Sequence, residues 1–469
     1  MLFASSIFAV FLAVVVAAHL SWPRRQWNGE KWFLLAASYF FYGWWDARFL
    51  ALIIVSTAID YWACRRILSN PRGPRAWLFV SIASNLGILG FFKYCNFFAE
   101  SAAAALATLG IKAGWPLLEV VLPVGISFYT FQTMSMTIDT YRGVIVRLPS
   151  FLDVALYVAF FPQLVAGPIV RAQSFLPQIR RRPRFRPALF AWGWWLICVG
   201  LFKKTVIADS LARVVEQHMV RPDLYHAHAL ESWKAAVAFS LQIYCDFSGY
   251  SDVAIGIAGL LGIRFLRNFN APYLAVSFSD FWRRWHISLS TWLRDYLYIP
   301  LGGSRSGLGS TRRNLMVTML LGGLWHGASW NFVLWGGLHG AFLVVEQAIV
   351  GRRLHRRPQS PWVDLSRVVL VFAAVTLLWV PFRAPDLQTT AAMLHSLALG
   401  WSAPPWTVLR GQLPEMIMAL MMMAAPWFYE RRLVRRRPGR WWRVAAMVLM
   451  WYSIVNFRGG SYPFIYFQF

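Results

Sequence analysis

The segment NLMVTMLLGGLWHGASWNFVLWGGLHGAFLVV, Asn314 to Val345, runs for 32 residues without one Asp, Glu, Lys or Arg. As one straight helix rising about 1.5 Å per residue it would be about 48 Å long, well beyond the roughly 30 Å hydrocarbon thickness of a bilayer. The run therefore belongs in a membrane and has to break. Gly322-Gly323, Gly327 and Gly336-Gly337 are its weak points, because glycine loses the most backbone freedom in a helix. His326 lies at one of them. An ionisable side chain inside an uncharged apolar run is expensive and marks a functional site; the competing reading is a neutral histidine hydrogen-bonded between helices. His339, further along the run, would project about 220° away from His326 on an unbroken helix. It shares a site with His326 only if the chain breaks at Gly336-Gly337.

Outward from this run the same character continues. The 469 residues are 58% hydrophobic, 17% aromatic and 14% charged, against roughly 25% charged in soluble domains. Apolar runs near 2–20, 32–45, 47–66, 77–98, 117–141, 151–169, 187–207, 232–263, 314–349, 367–384, 414–430 and 442–458 predict an all-α polytopic membrane protein with roughly 11 transmembrane helices. The first run carries its positive charges after it, the reverse of a cleavable signal peptide, and reads as a retained span with its amino terminus outside. The spans 32–45 and 47–66 form a hairpin turning at Gly43 to Arg48. The stretch 151–169 is interrupted by Pro162, Gly167 and Pro168 and lies between two loops that both come out cytoplasmic. It reads as re-entrant, since broken backbone at membrane depth is tolerated only within protein or beside a cavity.

The formal charge of +26 raises nucleic acid, anionic lipid and anionic substrate as partners. Location decides among them. Arg24 and Arg25, Arg65 to Arg75, Arg180 to Arg186, Arg352 to Arg357 and Arg431 to Arg443 sit in short loops beside apolar runs, which is the positive-inside pattern of cytoplasmic loops. No segment is long enough to form a separate basic domain, so nucleic-acid binding is excluded. Cys64, Cys95, Cys198 and Cys245 are scattered and suggest neither a disulfide framework nor a zinc site; no metal and no bound cofactor is expected.

Two further segments hold polar residues in apolar surroundings. Phe281 to Ile299 is amphipathic, with Phe281, Trp285, Leu289, Trp292, Leu293 and Tyr296 on one stripe and Arg283, Arg284, Arg294 and Asp295 opposite. It reads as an interfacial helix or as the lining of a polar cavity. On one continuous helix Arg284 and Asp295 share an azimuth three turns apart, and His286 flanks the apolar stripe. Asp246 and Asp252 stand inside the apolar run Ala235 to Ile263. Buried carboxylates pair with something: a histidine they orient, a cation, or Arg, Ser and Tyr anchors on neighbouring helices.

Four linear motifs together resemble the membrane-bound O-acyltransferase family, and within it the bacterial alginate O-acetyltransferase-like branch. They are PVGISFYTFQ at Pro123–Gln132, FFPQLVAGPIVR at Phe160–Arg171, DFWRRWHISLSTWLRDYLYIPLGG at Asp280–Gly303 and WHGASWN at Trp325–Asn331. The resemblance extends from about Trp32 to the final Phe469, so 1–469 is expected to be a single integral membrane domain. It implies a ring of helices with re-entrant and interfacial pieces around a central tunnel. It assigns the catalytic histidine to His326 and a second catalytic position to His286. Asp246, Asp252, Arg284, Asp295 and Asn331 are the supporting or substrate-channel candidates. The implied activity is transfer of an acetyl or other acyl group from a cytoplasmic thioester, acetyl-CoA or a similar donor, toward hydroxyls of an exported polysaccharide, with a periplasmic partner protein completing the transfer. The implied place is the bacterial inner membrane, in contact with membrane lipid. The shared motifs do not report the acceptor. A transporter moving donor or polymer without chemistry, and a noncatalytic assembly subunit, are the alternatives from other classes.

Overall fold

The computed structural model describes residues 1, 3–69, 73–111, 118, 120–165, 167–220, 229–305, 307–350, 360–399, 413–428, 440–460 and 462–465, and among them every regular element is helical. The readings placed on Arg352 to Arg357, on most of Arg431 to Arg443 and on 466–469 lie outside the described residues. Among the described residues four helices are long and apolar enough to cross a membrane: Ala47–Ser69, Pro74–Thr108, Trp330–Ile349 and Pro361–Arg383. Other expected spans are shorter helices, such as Trp27–Gly43 with 17 residues and Pro187–Phe202 with 16. The chain divides into two compact units, one of Met1–Trp194 with Ala254–Leu266, the other of Trp195–Val253 with Arg267–Phe469.

In the first unit the chain turns at Gly43 to Arg48 as expected, between helix Trp27–Gly43 and the helix that starts at Ala47. Helix Trp27–Gly43 ends there, and Asp46 caps the turn that opens the next helix by accepting from the Arg48 amide at 2.9 Å. The stretch 151–169 is broken, with helix Phe151–Ala159 stopping at Phe160 and the short helix Phe161–Leu164 following. Gly125, at φ +78°, lies against it so closely that a Cβ would stand 2.5 Å from the Leu164 carbonyl oxygen. Only glycine meets both demands, the left-handed backbone and the missing side chain. Buried polar groups tie the helices of this unit together. Asp60, fully buried, accepts from Ser81 Oγ at 2.5 Å and from Asn85 Nδ2 at 2.9 Å. The Asn85 side-chain oxygen in turn accepts from Ser56 and Thr133, each at 3.1 Å.

In the second unit the long helix Ala229–Leu260 supplies both acidic candidates, and each is matched by a lysine. Asp252 pairs with Lys203 at 2.7 Å, while Asp246 pairs with Lys204 at 2.8 Å and also accepts from the Ile465 amide at 2.8 Å. The turn that carries both lysines, Lys203–Ala208, reaches the long helix because Gly200 and Gly249 remove the side chains at the crossing, where a Cβ on Gly249 would lie 2.7 Å from the Gly200 carbonyl. The uncharged run itself folds as a hairpin of two helices, Gly307–His326 and Trp330–Val350. The break falls at 327–329. Gly336 does not interrupt its helix; it packs against the first arm, where a Cβ would stand 3.1 Å from the Gly323 Cα. Glycine at that position serves close helix approach instead of a bend.

Candidate active site

His326 is the last residue of its helix, and the turn after it is fixed from both sides. A side chain on Gly327 would run into the Phe332 ring. The Phe332 amide donates to the Ser329 carbonyl at 3.1 Å, and Asn331 donates through Nδ2 to the Ala384 carbonyl at 2.8 Å while accepting from Thr390 Oγ1 at 3.3 Å. Asn331 thus anchors the turn to the end of helix Pro361–Arg383. The imidazole of His326, 4% exposed, meets three aromatic rings nearly at right angles: Trp325 at 5.1 Å and 83°, Trp335 at 5.0 Å and 85°, Phe382 at 5.2 Å and 72°. Edge-to-face packing of this kind holds a ring plane in direction as well as in place.

His286 is fully buried and sits at a second break. The amphipathic segment is not one helix. Phe278–Arg284 and Ile287–Leu293 are separate, and a five-residue π-turn, Arg294–Tyr298, follows. Arg284 therefore does not share a face with Asp295. It pairs within its own helix with Asp280 at 2.9 Å, and Asp295 pairs with its neighbour Arg294 at 2.7 Å. The break happens because His286 adopts φ +41° and ψ 56°, and Ala271 is the one other non-glycine residue with positive φ among those described. Such backbone is strained in a residue with a side chain and concentrates at functional sites. The His286 ring packs against Phe247 at 4.6 Å and against Trp325 at 6.0 Å. The two histidines therefore flank one indole. His286 lies outside the spans, and burial pushes its imidazole down to about 3, so the ring is neutral at physiological pH.

His339 joins the same aromatic cluster, although its helix is unbroken at Gly336-Gly337. Its ring lies 4.8 Å from Trp335 and 5.1 Å from Trp282, and neither of its nitrogens meets a hydrogen-bond partner among the described residues. Trp335 stands between His326 and His339. The helical-wheel angle missed this because the two histidines are on opposing arms of a hairpin, not on one helix.

Asp246 and Asp252 do not orient either histidine; their partners are Lys204 and Lys203, which the sequence reading passed over inside the run 187–207. A charged pair closing an apolar run next to a span that contains two carboxylates was the available signal. Asp60 was missed in the same way, as one acid inside 47–66. Among the described residues no group of three or more His, Cys, Asp or Glu is placed to hold a metal ion.

Apolar spans, a broken pair of helices and buried histidines define a multi-pass membrane protein with a chemically equipped core. Residues 45–377 match the model of the membrane-bound O-acyltransferase family, and the chain belongs to that family and is an O-acyltransferase. It is 40% identical over 431 residues to the "probable alginate O-acetylase" of Azotobacter vinelandii, covering 90% of this chain and 83% of the relative. To the protein of the same description from Pseudomonas putida it is 38% identical across the full length of both. A "peptidoglycan O-acetyltransferase" of Helicobacter pylori is 36% identical over 78% of this chain and 73% of its own.

Proposed function

We propose that the protein is an inner-membrane O-acetyltransferase that moves an acetyl group from a cytoplasmic thioester, acetyl-CoA or a similar donor, toward hydroxyls of an exported polysaccharide, a periplasmic partner protein completing the delivery. The relatives named for alginate and peptidoglycan acetylation support the polysaccharide class. In this reading roughly 11 helices form a ring around a central tunnel in which donor and acceptor meet from opposite faces, with 1–469 acting as one domain.

The observation that carries the reading is His326, clasped edge-on by three aromatic rings at the one break in an uncharged run. In the proposed reaction the neutral imidazole takes the proton from the accepting hydroxyl as its oxygen attacks the thioester carbonyl. The carbon–oxygen bond forms, the carbon–sulfur bond breaks, and the proton is returned to the departing thiolate. Aromatic walls exclude water and so protect the thioester from hydrolysis. His286 is the second catalytic position, beside the same indole.

The test is transfer of label from acetyl-CoA by purified protein in nanodiscs, with a candidate polysaccharide and partner present. His326→Ala is expected to insert and melt like the wild type while losing transfer. Equal turnover by both proteins would overturn the assignment of His326, and label crossing the membrane with the thioester intact would favour a transporter.

A further inference from the structure

His286 holds a backbone conformation that its own chemistry does not favour, so something else must impose it. The residue that does so is Asn268, itself 1% exposed. Its carbonyl accepts from the Ile287 amide at 2.8 Å. Its side-chain oxygen accepts from the Ser288 amide at 3.1 Å and from the Ser288 hydroxyl at 2.9 Å. Its Nδ2 donates to Ser251 Oγ on the long helix at 3.2 Å. Two residues on, the Asn270 amide donates to the Arg284 carbonyl at 2.9 Å. The loop 268–270 therefore grips the chain on both sides of Trp285 and His286.

The turn that this grip holds in place sets His286 Nδ1 against a backbone donor. Ile287–Leu293 is a short helix whose third amide, Leu289 N–H, points at His286 Nδ1 across 3.4 Å. A backbone amide can only donate, so Nδ1 presents its lone pair and the proton of the neutral ring sits on Nε2. Ser288 Oγ, whose hydrogen goes to Asn268, also lies 3.4 Å from Nδ1 and would accept from an Nδ1–H, so it is the Leu289 amide, which has no lone pair to offer, that selects the tautomer.

We propose that Asn268 is a positioning residue for acyl transfer, locking His286 as an Nε2–H donor toward the acyl carbonyl oxygen, so that His326 alone takes the proton. The inference rests on the reading of His326 and His286 as the reacting pair. As the hydroxyl oxygen adds to the carbonyl carbon, negative charge gathers on the carbonyl oxygen, and a preorganised N–H in a dry site stabilises it without reorganisation.

The experiment measures kcat and KM for acetyl-CoA from pH 5 to 9 in nanodiscs for wild type, Asn268→Ala, His286→Gln, His286→Ala and His326→Ala. Asn268→Ala is expected to lower kcat by about 10- to 100-fold with KM changed by less than about 2-fold, and His286→Ala by about 10²- to 10³-fold. His286→Gln, which keeps a donor and cannot titrate, is expected to recover most of that loss with the acid limb of the pH profile where the wild type has it. Wild-type kcat in Asn268→Ala, or His286→Gln as inactive as His286→Ala, would overturn the proposal while His326→Ala still reports on the base. If Asn268→Ala fails to fold, Ser288→Ala removes one contact of the grip, and wild-type kcat in that variant would likewise count against it. An inactive wild type with donor, partner and acceptor supplied would sink both readings.

Discussion

The two histidines stand at two breaks built in opposite ways. At His326 the chain turns because small residues permit it: Gly327 leaves room for the Phe332 ring, and Asn331 ties the turn to the Ala384 carbonyl. At His286 the chain turns because a residue with a full side chain is forced into left-handed backbone and gripped there by Asn268. The first break stores little strain and leaves a ring held by aromatic edges. The second is strained, commits one ring nitrogen to a helix cap, and leaves a ring whose tautomer is decided by its surroundings. A base must accept and release a proton within one cycle, whereas a donor is most useful if it never changes state. The two constructions suit those two tasks.

The sharpest break of this comparison is His326→Ala. Removing a general base costs about 10²- to 10⁴-fold in rate, and the expected result is a loss of that size in kcat with the melting temperature of the wild type. A loss of less than 10-fold in acetyl-CoA turnover assays would mean that the ring positions substrate without moving a proton.

Gly327→Ala tests the claim that the first break depends on space alone. The added methyl overlaps the Phe332 ring, and overpacking of this kind costs about 1–3 kcal/mol. The expected outcome is a lower melting temperature and reduced transfer, with both restored when Phe332 is also changed to Leu. Wild-type stability in the single variant would show that the turn relaxes freely, and the contrast with the gripped break would weaken.

Asn331→Ala is the counterpart of Asn268→Ala. It removes two side-chain hydrogen bonds and leaves the Ala384 carbonyl without its donor, for an expected loss of about 1–2 kcal/mol in urea or thermal unfolding. Because Asn331 holds a turn and no tautomer, its kcat is expected to fall by less than that of Asn268→Ala. The reverse order would mean that the His326 turn is the more exacting of the two.

These contrasts also show what a linear sequence reveals. His326 was visible because one ionisable residue in a charge-free run needs no partner to be conspicuous. That the run must break was visible from its length, yet the choice between Gly327 and Gly336-Gly337 depended on which glycine faces a ring and which faces another helix, and composition does not distinguish them. The segment from Phe281 to Ile299 looked like one amphipathic helix because its periodicity survives the break at Trp285 and His286; backbone strain leaves no mark on hydrophobic spacing. Asp246 and Asp252 were legible as buried acids, but their lysines were read as part of a span, since pairing between distant segments is a tertiary fact. Asn268 is one asparagine in a loop, and its importance comes entirely from its contacts with Ile287 and Ser288 beside His286 and with Ser251 on the long helix.

The smallest effect concerns stability against pH. Burial pushes the His286 imidazole down to about 3 in the folded chain, while an unfolded histidine titrates near 6.5. Between those values the unfolded state binds the extra proton and the folded state does not. Stability from this group is therefore present above about pH 6.5 and is lost as pH falls through that window. Thermal unfolding in nanodiscs between pH 7 and pH 5 is expected to show a steeper decline for the wild type than for His286→Gln, which has nothing to protonate in either state. Parallel slopes would mean that the folded ring accepts a proton as readily as the unfolded one. A donor fixed by its surroundings could not behave that way, and the distinction between the two histidine turns would reduce to one of backbone shape.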